Sequence, residues 1–392
     1  MAELGLAHAE LGGHLYWDES AAYEFSSVQI DALSDATAEI ERICLLACAA
    51  AVAGHRHAVL GIPEAVWPLV VRSWQRREPS LDGRLDLSWD GVGPPKLLEY
   101  NADTPTALYE AAVVQWDWLQ GVWPGADQFN SIYERLVAAW PGMGLPGTVH
   151  FASMRDNFED KATLDYLRDT ALQAGLQAPY IAVEDISWNG TVFTSLNEEP
   201  IRVIFKLYPW EWLLHDRFGS HVAGAPTRWF QPAWRLLLSR KGLLALLWEM
   251  FPDHPNLLVA SRMPGQSGGP EIAKPVFGRK GANIITPGFT TDGPYTGSAT
   301  VYQAYREPPC FGGRHPVIGS WIVAGQAAGI GIREDATPIT QNTSQFSRTI
   351  SANAAASPAA NSFHGTAALP CGRCEPPRVM QAKAGIGAEL RP

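Results

Sequence analysis

Charge is scarce in this chain: Asp, Glu, Lys and Arg make up 18% of its 392 residues, and the 30 basic residues are outnumbered by 40 acidic ones, a formal net charge of -10. With no basic stripe to follow a phosphate backbone, the composition argues against nucleic acid as a partner. A long apolar run is also missing. The most apolar stretch near the N-terminus, residues 43–60, is broken by Gly54, His55, Arg56 and His57, so it is too short and too polar to span a bilayer, and no secretory signal precedes it. Cysteine is sparse and odd in number, at five. Cys44 and Cys48 sit four apart in an apolar helical pattern, as small buried thiols do, and no matching His/Cys pair completes a metal site. Cys371 and Cys374 have metal-motif spacing without a second pair. We expect a reduced, cytosolic protein.

What is present is core material. At 46% hydrophobic the chain can bury one large domain or two to three interlocked lobes. Fifteen Trp are unusual. Trp67, Trp74, Trp116, Trp118, Trp234 and Trp248 lie in strand-like or helical apolar patterns, which fits core packing better than a sugar-binding platform.

The apolar spacing predicts an amphipathic helix over Ser27–Ala53 and a second from Pro63 to about Gln75. Period-two alternation then predicts strands over residues 84–89 and 96–101, joined by a turn at Asp90-Gly91, with Arg84, Asp86 and Ser88 on one face and Glu99 and Asn101 on one face. Helical patterns follow at residues 105–118, 129–140 and 161–174, with strands at 148–152, 181–183 and 201–205. Residues 229–250 read as mainly helical, interrupted at Ser239-Arg240-Lys241. The remainder is sheet-rich, with strands at 272–276, 301–305, 316–323 and 328–333 around a glycine-containing loop at 278–283. From Ser347 to Pro392 the composition turns to Ser, Ala, Asn, Pro and Gly without periodicity, so we expect a folded region over 1–346 and a disordered tail over 347–392.

Asp86, Glu99 and Asn101 offer hard oxygen ligands from adjacent strands, as Mg²⁺ requires when nucleotide phosphates fill its other positions. Arg84 could clamp a transferring phosphoryl oxygen. The same pattern also fits a solvent-facing strand with ordinary ion pairs. Lys274 precedes a loop whose backbone N–H groups could cover phosphates, but the lysine lies before the glycines and no Ser or Thr follows Lys280, so this is not a Walker A loop.

Arg84 and Asp86, the run Glu99-Tyr100-Asn101-Ala102-Asp103-Thr104, Lys241, the 274–283 loop and Arg333 occur in the order and approximate spacing of the glutathionylspermidine synthase ATP-grasp domain. The chain resembles that family from about Tyr16 to Phe346. The resemblance implies an α+β, ATP-grasp fold with a preceding α/β, pre-ATP-grasp-like region. It implies an ATP-dependent ligase that joins a carboxylate to an amine through an acyl phosphate, with small-molecule carboxylate and amine as partners. By the same resemblance Asp86, Glu99 and Asn101 bind Mg²⁺, Arg84 steadies the reacting phosphoryl group, and Lys241 and Lys274 hold ATP phosphates under the loop of Gly278 and Gly281. Gln303, Ala304 and Tyr305 resemble the hinge strand bordering adenine, and Arg333 resembles an arginine facing the acyl substrate. Thr104 and Thr106 stand where the family offers hydroxyls to a peptide, and Glu159 and Asp160 form an acidic pair suited to a polyamine. We expect departures from the family in the absence of the Cys/His amidase domain, in Val317 for a polar adenine-side residue, in Lys280 within the loop, and after Phe346. Two other classes are weighed beside the ligase: a nucleotide-binding module without turnover, and a Trp-rich carbohydrate-binding protein.

Overall fold

The computed structural model describes residues 10–11, 14–341, 343–352 and 378–381. Strand β1 (Trp17–Ser26) runs directly into helix α1 (Ser27–Ala53). The sharp switch is made by a capping box, in which the Gln29 amide donates to Ser26 Oγ and the Ser26 amide donates to Gln29 Oε1. Helix α1 has the bounds its spacing predicts. Its apolar stripe of Leu33, Ile40, Ile43, Cys44, Ala47 and Cys48 is buried, both thiols included.

Helix α2 (Trp67–Gln75) leads to the antiparallel strands β2 (Asp82–Ser88) and β3 (Lys96–Asn101). Helices α3 (Gln115–Val122) and α4 (Ile132–Ala139) precede β4 (His150–Ser153), α5 (Phe158–Gln173), β5 (Tyr180–Ala182) and β6 (Val203–Leu207). The segment at 229–250 departs from its helical pattern only at its start. It opens with strand β7 (Arg228–Phe230), which pairs parallel with β6; the rest is helical as expected, with short helical turns over 233–239, a break at Arg240-Lys241, and helix α6 (Gly242–Met250). The apolar run at 229–230 satisfies either period, and an empty sheet edge decided between them. Short strands β8 (Ala260–Ser261), β9 (Glu271–Pro275) and β10 (Thr300–Ala304) then precede the long β11 (His315–Val323), β12 (Gln326–Asp335) and β13 (Gln345–Ala352), with β14 (Arg378–Gln381) last.

Three sheets organise this α+β architecture. The largest has seven strands in the order β14-β1-β13-β12-β11-β2-β3; a four-stranded parallel sheet runs β7-β6-β4-β5; a three-stranded antiparallel sheet runs β8-β10-β9. Leu85, Leu87, Leu97, Ile318 and Ile332 on one face of the seven-stranded sheet join the core of α1 and α6. On the other face, Trp321, Val323, Ala328 and Phe346 pack with residues of α3, α4 and the parallel sheet.

The boundary expected after Phe346 falls inside β13. Residues 347–352 form a strand that lies between β12 and β1, and Ser347, Arg348 and Thr349 are buried. Composition failed as a guide here because a strand flanked by partners on both sides gains ladder hydrogen bonds that its own polar sequence does not advertise. The Arg348 guanidinium is held between the rings of Trp17 and Trp118, at 5.5 and 4.8 Å from their centroids. Further along the same expected tail, β14 pairs antiparallel with β1. Cys371 and Cys374 lie outside the described residues. Trp67, Trp118 and Trp234 are buried as core residues, whereas Trp116 is 40% exposed.

Candidate active site

Period-two geometry places Leu85 and Leu87 in the core, so Arg84 and Asp86 emerge on the opposite face of β2, and the register sets Arg84 across from Asn101 and Asp86 across from Glu99. Arg84 grips Asp86 with two bonds, Nε to Oδ1 at 2.7 Å and Nη2 to Oδ2 at 3.1 Å. Arg333, reaching in from β12, donates to the same Oδ2 at 2.9 Å, and the Asn101 amide donates to it at 3.1 Å. Room for Arg84 comes from Gly319 on β11, where an added Cβ would stand 2.8 Å from Arg84 Cδ.

Glu99 answers to a second pair of cations. Lys241, at the N-cap of α6, lies 2.9 Å from Glu99 Oε2 and donates to the Gly278 carbonyl at 2.7 Å. Lys274, on β9, donates to Leu98 O at 3.0 Å and Gln303 Oε1 at 2.8 Å. Burial alone would raise the Glu99 carboxyl, but the ammoniums of Lys241 and Lys274, with bonds from Lys241 and Asn101, hold it well below the ordinary carboxylate range. Burial pushes Lys274 down to about 8, against the opposing pull of Glu99. Arg333 is lowered by burial and by neighbouring Arg84.

These groups open into one cleft of about 280 Å³, and all the residues singled out from the sequence line it: Arg84, Asp86, Glu99, Asn101, Thr104, Thr106, Glu159, Asp160, Lys241, Lys274, Gly278, Gly281, Gln303, Ala304, Tyr305 and Arg333. The glycine loop is shaped for close approach. Gly281 has φ +69°, and a Cβ there would stand 2.3 Å from the Thr340 carbonyl oxygen. Ile272, Ile284 and Ile339, with Phe289 and Tyr305 against them, form a small apolar cluster, of which Ile272, Ile284, Ile339 and Tyr305 line the cleft beside the loop. The Gln303 side chain stands on the same sheet face, directly across from Ile272. It is buried between Lys274 and the Leu97 carbonyl, so it positions the lysine. At the other end, Asn157 caps α5 and donates to Asp160 Oδ2 at 2.6 Å; burial and Glu159 raise the Asp160 carboxyl to about 7.

The glutathionylspermidine synthase preATP-grasp family model matches residues 1–350. The chain belongs to this family. A Haemophilus influenzae protein provisionally named an acid–amine ligase is 40% identical over 86% of this chain and 90% of its own length. A trypanothione synthetase of Crithidia fasciculata is 28% identical, and the bifunctional glutathionylspermidine synthetase/amidase of Escherichia coli 24% identical, each over 74% of this chain. The matches cover about half of those two longer proteins, 50% and 52%. Among solved structures, a glutathione synthetase-like effector from Globodera pallida superposes with a TM-score of 0.55 over 86% of this chain and 90% of its own, at 10% identity, a likeness of fold alone. By family the protein is an ATP-dependent carbon–nitrogen ligase. No helix among the described residues is long and apolar enough to cross a membrane.

A cleft residue, Arg279, and a buried lysine behind the cleft were not singled out from the sequence. Arg279 donates to Thr104 Oγ1 at 2.8 Å and to Glu211 Oε2 at 3.3 Å, tying the glycine loop to the segment after β3. Beneath it Lys206 and Asp103 form a buried ion pair at 2.7 Å. Arg279 stands beside the glycines, so the loop motif itself pointed to it; Lys206 sits in an apolar strand pattern that hid it. Among the described residues no group of three or more His, Cys, Asp or Glu side chains is gathered as a metal cage. An Mg²⁺ bound with nucleotide needs fewer protein ligands, and two carboxylates directly opposite each other beside an amide oxygen are the right donor type.

Proposed function

We propose that the protein joins a peptide-like carboxylate to a polyamine or other amine, using ATP and passing through an acyl phosphate. What carries this reading is the charge of the cleft floor: Arg84, Arg333, Lys241 and Lys274 surround only Asp86 and Glu99, leaving positive charge suited to a polyphosphate. Lys241 and Lys274 take the phosphates, the 278–281 loop covers them, and Ala304 and Tyr305 border the adenine with the isoleucine cluster. Asp86, Glu99 and Asn101 would hold Mg²⁺, which when bound supplies neutralising charge to the phosphate oxygens.

A carboxylate is a poor electrophile. Its oxygen takes the γ-phosphoryl group of ATP, ADP leaves, and the carbonyl carbon becomes open to attack. Arg84, freed from Asp86 as the phosphates bind, steadies the transferring group, and Arg333 orients the acyl carboxylate. The amine nitrogen then attacks, phosphate departs with the C–O bonding pair, and loss of a nitrogen proton leaves the amide. Thr104 and Thr106 offer hydroxyls to the peptide. Glu159 and Asp160 attract a cationic amine.

The test is a phosphate-release screen over peptide carboxylates paired with polyamines and amino acids. Release that requires both partners is the expected result, and Glu159→Gln should weaken a polyamine's apparent affinity. ATP binding without release under any pairing would overturn the ligase reading in favour of a nucleotide-binding module. Preference for neutral or anionic amines would overturn the assignment of the acidic pair.

A further inference from the structure

The strand pair that carries the site ends abruptly. Arg84 and Asn101 are the last partners in the β2–β3 register, although β2 continues back to Asp82 along its other neighbour, β11. Just past that last pair, a fully buried arginine from outside the sheet spans the gap: Arg235 donates from Nε to the Ala102 carbonyl at 3.0 Å and from Nη2 to the Asp82 carbonyl at 3.0 Å. One planar guanidinium therefore ties both strands by backbone oxygens. It does so where the next ladder bonds would fall.

The rest of its surroundings fix the fork in place. Arg235 Nη2 also donates to Tyr100 Oη at 3.2 Å, Tyr100 donates to Glu41 of α1 at 2.7 Å, and the guanidinium lies over the Tyr100 and Trp234 rings at 5.0 and 5.3 Å. Four residues earlier, Gln231 binds Asp82 Oδ1 and the Leu81 amide, so one short segment holds the start of β2 at several points. The sequence of β2 makes room for it independently. Position 83 is glycine, and a Cβ there would stand 2.3 Å from Arg235 Nη2 and 2.8 Å from the Tyr100 ring.

We propose that Arg235 is a positioning residue for the metal-phosphate site: through the backbones of Asp82 and Ala102 it sets the spacing of Arg84 and Asn101 from behind the sheet. The inference rests on the metal assignment made under the proposed function. A lysine keeps the charge but is a point donor on a flexible stem, so it cannot satisfy two carbonyls on different strands with fixed geometry. Partners that orient metal ligands from behind typically change metal affinity about 10- to 100-fold when lost.

The experiment compares wild type, Arg235→Lys and Gly83→Ala, reading fluorescent methylanthraniloyl-ATP binding with and without Mg²⁺ together with amide hydrogen exchange. The expected result is metal-free affinity like wild type, an Mg²⁺-dependent gain reduced about tenfold in both variants, and faster exchange at the amides of Arg84 and Asn101. Loss of nucleotide affinity equally with and without Mg²⁺ would show a merely structural role and overturn the proposal. So would a full Mg²⁺ gain with unchanged exchange. If wild type shows no Mg²⁺ gain at all, the metal assignment fails instead, and the exchange at Arg84 and Asn101 alone decides whether Arg235 holds the strands.

Discussion

Replacing Glu99 by Gln keeps the side chain's shape and removes one negative charge from the centre of the cleft. In the resting protein Glu99 faces Lys241 at 2.9 Å and accepts from Asn101 at 3.2 Å. A pair that close has a gross attraction of about 6 kcal/mol at an effective dielectric constant of about 20. Little of that is net stability, because the side chain remains partly open to the cleft and desolvation and side-chain ordering offset the attraction. Folding should therefore be nearly unaffected, and thermal melts of the variant should overlay those of wild type. Turnover is a different matter, since under the proposed metal assignment the charge is then missing where phosphoryl oxygens and Mg²⁺ would meet. A lost contact of this kind costs about a hundred- to a thousandfold in rate. The assay is phosphate release across an Mg²⁺ titration, with the carboxylate and amine pair found by the substrate screen. Equal turnover of Glu99→Gln and wild type at limiting Mg²⁺ would refute the role given to Glu99 and the metal assignment with it.

Lys274 is charged below its folded value of about 8 and neutral above it, so metal-free ATP affinity should fall as pH rises through that value; Lys274→Arg should flatten the fall, and an unchanged fall would remove Lys274 from the phosphate site. Gly281→Ala meets both a left-handed φ and the Thr340 carbonyl oxygen, so it should displace the glycine loop and weaken ATP binding while α1 and its core keep their hydrogen-exchange protection. A chain ended after Phe346 removes an internal strand of the seven-stranded sheet and should fail to melt cooperatively, whereas a well-folded truncation would show that β13 is dispensable.

The candidate site was legible because its residues are written in short local pieces. Arg84 and Asp86, or Glu99 and Asn101, are two apart on one strand, and a period of two is enough to put each pair on one face without knowing what lies across from it. The same locality gave α1 its bounds, since a capping box and an apolar stripe are contained in the helix itself. What stayed hidden depends on partners distant in the chain. Nothing near Arg348 announces that β1, more than three hundred residues earlier, will pair beside it. Nothing near Arg235 announces two open carbonyls at Asp82 and Ala102. Both arginines are buried, and burial of a charge is the event that composition and periodicity are least able to foresee, because its cost is met only by groups that folding brings together. It follows that the residues found last are those acting through others. Arg235 touches no cleft surface, yet the spacing of the Arg84–Asn101 pair depends on the two carbonyls it holds.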